Sequence, residues 1–415
     1  MPIIRSDKFP PHWLFTWRYF TSKKSVNAIT IIARITTLSI AIGTAALLIV
    51  LSIFNGFEGL VKNLYASFYP DIRITHQKNP FFEITPSLSK KISSMEGVQA
   101  VSLTLESNGL FQYENNRVNV VLKGVDNQYG AVSGVPGKII RGKFETSNHE
   151  RTVVVIGSGI ENALQVQPDK TLLPLTIYLP KKNAEINTNP IEAISTANMY
   201  PVGSFAIQQD FDNRYALTNI DILRSMLGVS NITVSAVEIK IKNTSDQKRL
   251  IQSLKSMMGS AYLIEDRYQQ NRTLFGIMQS EKWIIFGILS FILILASFNM
   301  IGTLTLLILE KDKDIQILKA LGGSEKFIRK IFIGESLLLG LTGGLAGFFI
   351  ALGFCSLQQQ FHLIPLEGSF VIDYYPVKMM ATDIMIVLST IIVIAFGAGL
   401  YPSIKASKKI FSLKT

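Results

Sequence analysis

Four long stretches of this 415-residue chain contain no Asp, Glu, Lys or Arg, and no other feature restricts its architecture so strongly. They are residues 35–57, between Arg34 and Glu58; 283–309, between Lys282 and Glu310; 336–366, after Glu335; and 384–404, between Asp383 and Lys405. A helix that crosses a bilayer needs ~20 mostly apolar residues. One such run could be a buried helix of a soluble core, but four predict a four-span membrane protein. The single cysteine, Cys355, lies inside the third run, so no intramolecular disulfide can form, and it reads as a small apolar residue.

Charge sets the expected orientation, because Lys and Arg next to spans collect on the cytoplasmic side. Residues 1–34, 310–330 and 405–415 carry net charges of +5, +2 and +4, which account for the whole formal charge of +11. The remainder is neutral overall. The basic balance therefore reads as membrane orientation and contact with anionic lipid head groups, and no nucleic-acid partner is expected. Both termini are placed in the cytoplasm. The first run starts only at residue 35, is too long for a signal h-region and ends in Asn55-Gly56-Phe57-Glu58, so it reads as an uncleaved span. Before it, Trp13, Phe15, Trp17, Tyr19 and Phe20 interleave with Arg18 and precede Lys23 and Lys24, which predicts a short interfacial helix over residues 11–22.

Between the first two runs, polar and apolar residues mix as in a soluble domain. Segments rich in β-branched residues predict strands at 71–76, 98–106, 117–125, 152–156, 175–179 and 236–242. Apolar spacings of three and four predict helices at 85–95, 158–164, 219–227 and 245–258. The expected fold is thus an α-helical membrane protein with four transmembrane helices plus a large α+β periplasmic domain. In chain order it has a cytoplasmic segment over residues 1–34, a first span 35–57, the outer domain 58–272 with residues 126–230 as an inserted subdomain, and a second span 283–309. A cytoplasmic loop 310–330, a third span 331–357, an outer loop 358–379, a fourth span 380–404 and a cytoplasmic tail 405–415 follow. The stretch 179–204, rich in Asn and Pro, is expected to bury little. It reads either as an exposed loop or as a protruding hairpin that meets a partner.

Catalytic signatures are not found in the sequence. Gly137 to Lys143 has phosphate-loop spacing, but Phe144 stands where a magnesium-binding Ser or Thr is needed. His12, His76, His149 and His362 lack metal-ligand spacing. We expect no metal, no cofactor on this chain and no enzymatic activity of its own, so another subunit must supply energy.

Two groups of motifs remain. Phe298-Asn299-Met300-Ile301-Gly302 is followed by Leu309-Glu310-Lys311-Asp312-Lys313-Asp314-Ile315-Gln316-Ile317-Leu318-Lys319-Ala320-Leu321-Gly322. Val50-Leu51-Ser52-Ile53-Phe54-Asn55-Gly56-Phe57-Glu58 ends the first run, and Gln269-Gln270-Asn271-Arg272 and Glu281-Lys282-Trp283 precede the second. Together they resemble the LolC/LolE lipoprotein-releasing permeases of ABC transporters, which belong with the MacB and FtsX permeases. The likeness extends over the full length and is weakest from 126 to 235. It implies a MacB-like periplasmic core, inner-membrane localisation, a LolD-like ATPase that binds ATP and Mg, a second permease subunit, lipoprotein cargo and a LolA-like periplasmic chaperone.

The resemblance also implies site residues. Glu310, Lys311, Asp314, Ile315, Ile317, Leu318, Lys319, Ala320, Leu321 and Gly322 would form a coupling helix in a groove of the ATPase, and Ile315, Leu318 and Leu321 recur at three-residue spacing as such a face requires. Leu47, Val50, Phe54, Phe57 and Val61 follow helical spacing and continue past Glu58, as a stripe rising above the membrane or as ordinary helix packing or lipid contact would require. The resemblance implies that cargo acyl chains enter between the first and second spans, with Met278, Ile285, Phe286 and Leu289 facing the same cavity. Asn187, Pro190 and Asn198 fall about where a chaperone-binding hook is expected. An MacB-like drug or peptide exporter and an FtsX-like regulator of cell-wall hydrolases are the competing readings.

Overall fold

The computed structural model describes residues 11–21, 27–148, 150–170, 173–181, 193–243, 246–366 and 374–408. They form two compact units, whose boundaries fall near Gly59 and Gly276.

The first unit is helical. It contains α1 (Pro11–Thr21), most of α2 (Asn27–Phe68), and further along the chain most of a 39-residue helix, Arg272–Glu310. A short helix Asp312–Ala320 and two long ones, Glu325–Phe361 and Ala381–Lys408, complete it. With the helices of the second unit numbered below, these last four are α10, α11, α12 and α13. Helices α2, α10, α12 and α13 are each long and apolar enough to cross a membrane. In hydrocarbon every polar group needs a partner within the protein. The hydroxyls of Thr36, Thr37, Thr44 and Ser52 accordingly donate to carbonyls one turn earlier, at Ile32, Ala33, Ile40 and Leu48.

Small residues set how closely these helices approach. A Cβ at Gly347 would lie 2.4 Å from the Ala41 carbonyl oxygen, and one at Gly340 would lie 2.6 Å from the Ala395 Cβ. Leu47, Leu48, Leu51, Leu293, Met300, Leu304, Leu339 and Ile391 fill the resulting core. Helix α1 packs on α12 through the Thr16 hydroxyl, 3.2 Å from the Ile331 carbonyl, and through an edge-on Phe15–Phe327 ring pair.

The second unit is built on a ten-stranded sheet. Its strands are β1 (Ile72–His76), β3 (Val98–Tyr113), β4 (Asn116–Val125), β5 (Ile139–Gly142), β6 (Val153–Gly157), β7 (Leu175–Pro180), β8 (Ile194–Phe205), β9 (Tyr215–Asn219), β11 (Ala236–Ile241) and β12 (Tyr262–Asp266). A two-stranded sheet pairs β2 (Phe82–Glu83) with β10 (Thr233–Val234). The helices are α3 (Pro86–Ser93), α4 (Tyr129–Val132), α5 (Ser158–Leu164), α6 (Gln209–Asp212), α7 (Ile220–Leu227), α8 (Gln247–Met258) and α9 (Arg267–Gln270). The order β12-β1-β11-β3 interleaves a β1-α3-β3 half with a β11-α8-β12 half, a ferredoxin-like core.

β9 pairs in parallel with β4, so β9, β6, β8 and β5 prolong the same sheet. The domain is therefore more sheet-rich than the sequence suggested. The stretch 179–204 also buries more than expected, because β8 pairs with β7 from Pro180↔Ile194 to Leu175↔Met199, with Met199 and Ser204 buried. Pro201 and Gly203 masked that strand, since both residues normally interrupt one. Gly203 is needed because a Cβ there would lie 2.2 Å from the Lys143 carbonyl oxygen.

An ion-pair ladder crosses four adjacent strands inside this unit. Glu106 on β3 accepts from Arg73 on β1 at 3.1 Å and lies 3.3 Å from Lys123 on β4, which also meets Glu238 on β11 at 2.6 Å. Burial alone would raise the Glu106 pKa, but the Arg73 and Lys123 charges outweigh it and hold the group below its ordinary value. Burial likewise opposes a charged Lys123, and Glu238 outweighs it, so Lys123 stays protonated. Each charge of this cluster faces an opposite one across the sheet, although Arg73 Nε and Glu238 Oε2 are left without a hydrogen-bond partner, and its role is structural.

Candidate functional site

Two regions of the helical unit carry the residues singled out in the sequence. The first is the turn between α10 and α12. Glu310 ends α10, Lys311 precedes α11, and α11 stops because Gly322 adopts a left-handed conformation, φ +86°. At Gly323 a Cβ would lie 2.7 Å from the Leu318 carbonyl oxygen, which the Gly323 N–H approaches as donor at 2.8 Å. Lys319 Nζ donates to the Ser407 carbonyl at 2.9 Å, tying α11 to the end of α13. Lys311 lies 4.0 Å from Asp314 and over the Tyr19 ring of α1.

The expected apolar stripe divides in two. Ile315 is only 2% exposed and packs with Ile308, Ile328, Phe332 and Ala406, so it anchors α11 to its own unit and has no surface to offer a partner. Leu321 is 79% exposed and Ile317 58%, with Ala320 exposed and Leu318 half-buried between them. The outward ridge is therefore 317, 318, 320 and 321. Three-residue spacing placed Ile315 on that ridge, but at 100° per residue Ile317 and Leu321 share a side that Ile315 does not.

The second region involves α2, α10 and α13. Leu47 is fully buried in the helical core and cannot line a surface cavity, a correction to its expected role. Val50, Phe54 and Phe57 are half-buried on α2, and Val61 packs partly against an aromatic cluster of the second unit around Tyr65, Phe68 and Phe211. On α10, Met278 is buried, Ile285 is half-buried, and Phe286 and Leu289 pack partly against the helical core. Phe286 borders a cleft of about 210 Å³ that opens between α10 and α13 and also touches Leu51, Gln279, Trp283 and Ile386. The most exposed face of α10 is instead Ile284, Ile288, Phe291, Leu295 and Phe298, which sequence reasoning missed.

One polar constellation was missed entirely. Lys282 Nζ donates to Asn55 Oδ1 at 2.8 Å and lies 3.1 Å from Asp383 Oδ1, while Asn55 Nδ2 donates to Asp383 Oδ2 and to the Lys378 carbonyl. The neighbouring Gly56 permits this, since a Cβ there would lie 2.0 Å from the Pro376 carbonyl oxygen. Three helices are thus joined where two charged residues had read only as the ends of apolar runs. Their signal was Asn55, an amide near the end of a span, where polar side chains are costly without a partner. Near the end of α12, Gln358 donates to the Ile364 and Tyr375 carbonyls and accepts from the Ile364 N–H.

Asn198 is exposed on β8 and accepts from the Thr176 hydroxyl across the β7–β8 hairpin. Asn187 and Pro190 lie outside the described residues. No cluster of three or more metal-ligating side chains occurs among the described residues.

The chain matches two family models: the MacB-like periplasmic core domain over residues 34–257 and the FtsX-like permease C-terminal over residues 286–410. It is 26% identical to the lipoprotein-releasing system transmembrane protein LolC of Neisseria meningitidis serogroup B, over 94% of this chain and 95% of that protein. It is 22% identical to the lipoprotein-releasing system transmembrane protein LolE of Haemophilus influenzae, over 95% of this chain and 97% of that protein. With the macrolide export ATP-binding/permease protein MacB of Bdellovibrio bacteriovorus it shares 23% identity over 76% of this chain but only 47% of that protein. Four membrane-length helices, a sheet-rich unit that matches the periplasmic core, and relatives aligned end to end converge on one assignment: the chain belongs to the MacB/FtsX superfamily of ABC transporter permeases, among the LolC/LolE-type members.

Proposed function

We propose that this protein is the non-catalytic permease subunit of an ATP-driven complex that extracts lipoproteins from the inner membrane and passes them to a LolA-like periplasmic chaperone. The observation that carries this reading is the full-length similarity to both LolC and LolE, whereas the MacB relative matches over less than half of its own length. A LolD-like ATPase holding ATP and Mg docks on the exposed ridge Ile317, Leu318, Ala320 and Leu321, with Glu310, Lys311, Asp314, Lys319 and Gly322 shaping the turn behind it. Termini in the cytoplasm and the sheet-rich unit in the periplasm follow from the charge distribution. Drawing a lipid anchor from the bilayer costs ~0.8 kcal/mol per CH2 transferred to water, so cargo needs continuous apolar contact on its way out. Val50, Phe54 and Phe57 on α2, with Ile285 and Leu289 on α10, supply that contact against a second permease subunit.

A photo-crosslinking amino acid at Phe54 or Phe57 is expected to capture lipoprotein in the nucleotide-free complex and to lose it when ATP is added. The same group at Val393, exposed on α13, should capture at least about fivefold less. Protection of Phe54 and Phe57 by a drug or peptide, with no lipoprotein captured, would favour the MacB-like exporter instead.

A further inference from the structure

At the end of the helical unit that carries α11, an open cleft of about 530 Å³ is lined by His12, Lys326, Arg329, Lys330, Ile333, Gly334, Leu337 and Phe396. We infer that this cleft is a binding site for one anionic phospholipid, with its phosphate held by Lys326, Arg329 and Lys330 and an acyl chain lying along Ile333, Leu337 and Phe396.

The order of residues along α12 supports this. Lys326, Arg329, Lys330, Ile333 and Leu337 follow spacings of three and four, so they share one helix face, and that face changes from cationic to apolar as the helix proceeds. From Lys330 to Leu337 the helix rises about 10 Å, enough for the upper part of an acyl chain. Phe396 of α13, 46% exposed, forms the apolar wall opposite. The floor is tight, since a Cβ at Gly334 would lie 2.9 Å from the Thr16 side chain of α1. Among the described residues none of the three cations forms an ion pair, and Glu325 on the same turn is not part of the lining. A cluster of three positive charges next to a span attracts anionic head groups, while apolar walls below it would suit a lipid tail and not an acidic protein surface. The site depends on membrane residence and not on what the complex transports.

The test uses the full chain purified in mild detergent and equilibrated with mixed micelles of phosphatidylglycerol and phosphatidylethanolamine in equal amounts, with bound lipid read by native mass spectrometry. Phosphatidylglycerol is expected to be retained about tenfold over phosphatidylethanolamine, because its net negative charge is drawn to the three basic residues while the ammonium of phosphatidylethanolamine offsets its phosphate. Lys326→Gln, Arg329→Gln and Lys330→Gln together should bring that ratio close to one, and Phe396→Ala should weaken both lipids alike. Should the triple variant fold poorly, Arg329→Gln alone, checked by its thermal transition, should still lower the ratio severalfold. Inorganic phosphate alone in large excess should not displace the lipid. Equal retention of both lipids, an unchanged ratio in the variants, complete displacement by phosphate, or loss of the ATPase subunit from the triple variant with the lipid ratio intact would each overturn the site.

Discussion

Leu321→Asp should strip the ATPase subunit from the complex while leaving the permease itself as stable as the wild type. Leu321 projects from the end of α11 with most of its surface open, so a charge there costs the folded chain little. In an apolar contact the same charge would be buried without a partner. Loss of one central interface contact is worth ~2 kcal/mol, on the order of 30-fold in association. Pull-down of the ATPase subunit and coupled ATP hydrolysis measure the effect. The informative contrast is Ile315→Asp, two residues from the ridge but inside the core with Ile308, Ile328 and Phe332. That variant should lose folded protein altogether, because a buried charge without a partner is among the most destabilising of single substitutions. Normal association of the Leu321→Asp protein would remove α11 as the docking element.

The Asn55–Lys282–Asp383 constellation yields the other large effect. Asp383→Ala leaves the Lys282 ammonium, mostly buried against α2 and α13, without its counter-charge. Removing one member of a buried pair typically costs about 3–5 kcal/mol, whereas replacing both by apolar residues is often close to neutral. Asp383→Ala should therefore sharply lower the thermal transition of the detergent-purified protein, and Lys282→Met combined with Asp383→Leu should recover most of the loss. A double variant no more stable than Asp383→Ala alone would show that the pair does not join the helices. A double variant that is stable but inactive would assign the pair to the transport cycle.

These two cases also mark what could be read from the residues. Spans announce themselves because hydrocarbon excludes charge over a whole helix, so all four were legible, although α2 runs on to Phe68 and α10 begins already at Arg272. Strands with β-branched residues were legible for the same local reason. What escaped depended on distant neighbours. Lys282 and Asp383 are 101 residues apart and each looked like the boundary of a span. Strand β3, expected only to residue 106, runs on through Ser107-Asn108-Gly109 because β4 pairs with it as far as Tyr113, and β7 lies so near that a Cβ at Gly109 would be 2.5 Å from Leu179. The inward turn of Ile315 followed from packing against α12 and α13, which spacing along nine residues of α11 could not reveal.

Whether cargo leaves the membrane by its lipid anchor can be seen in a reconstituted system. Proteoliposomes would hold this permease, its ATPase subunit and an acylated lipoprotein, with a LolA-like chaperone outside. ATP should move lipoprotein into the soluble fraction bound to chaperone, and Leu321→Asp should abolish the transfer. Lipoprotein that stays in the membrane while ATP is hydrolysed, or while a drug or peptide is exported instead, would contradict lipoprotein extraction.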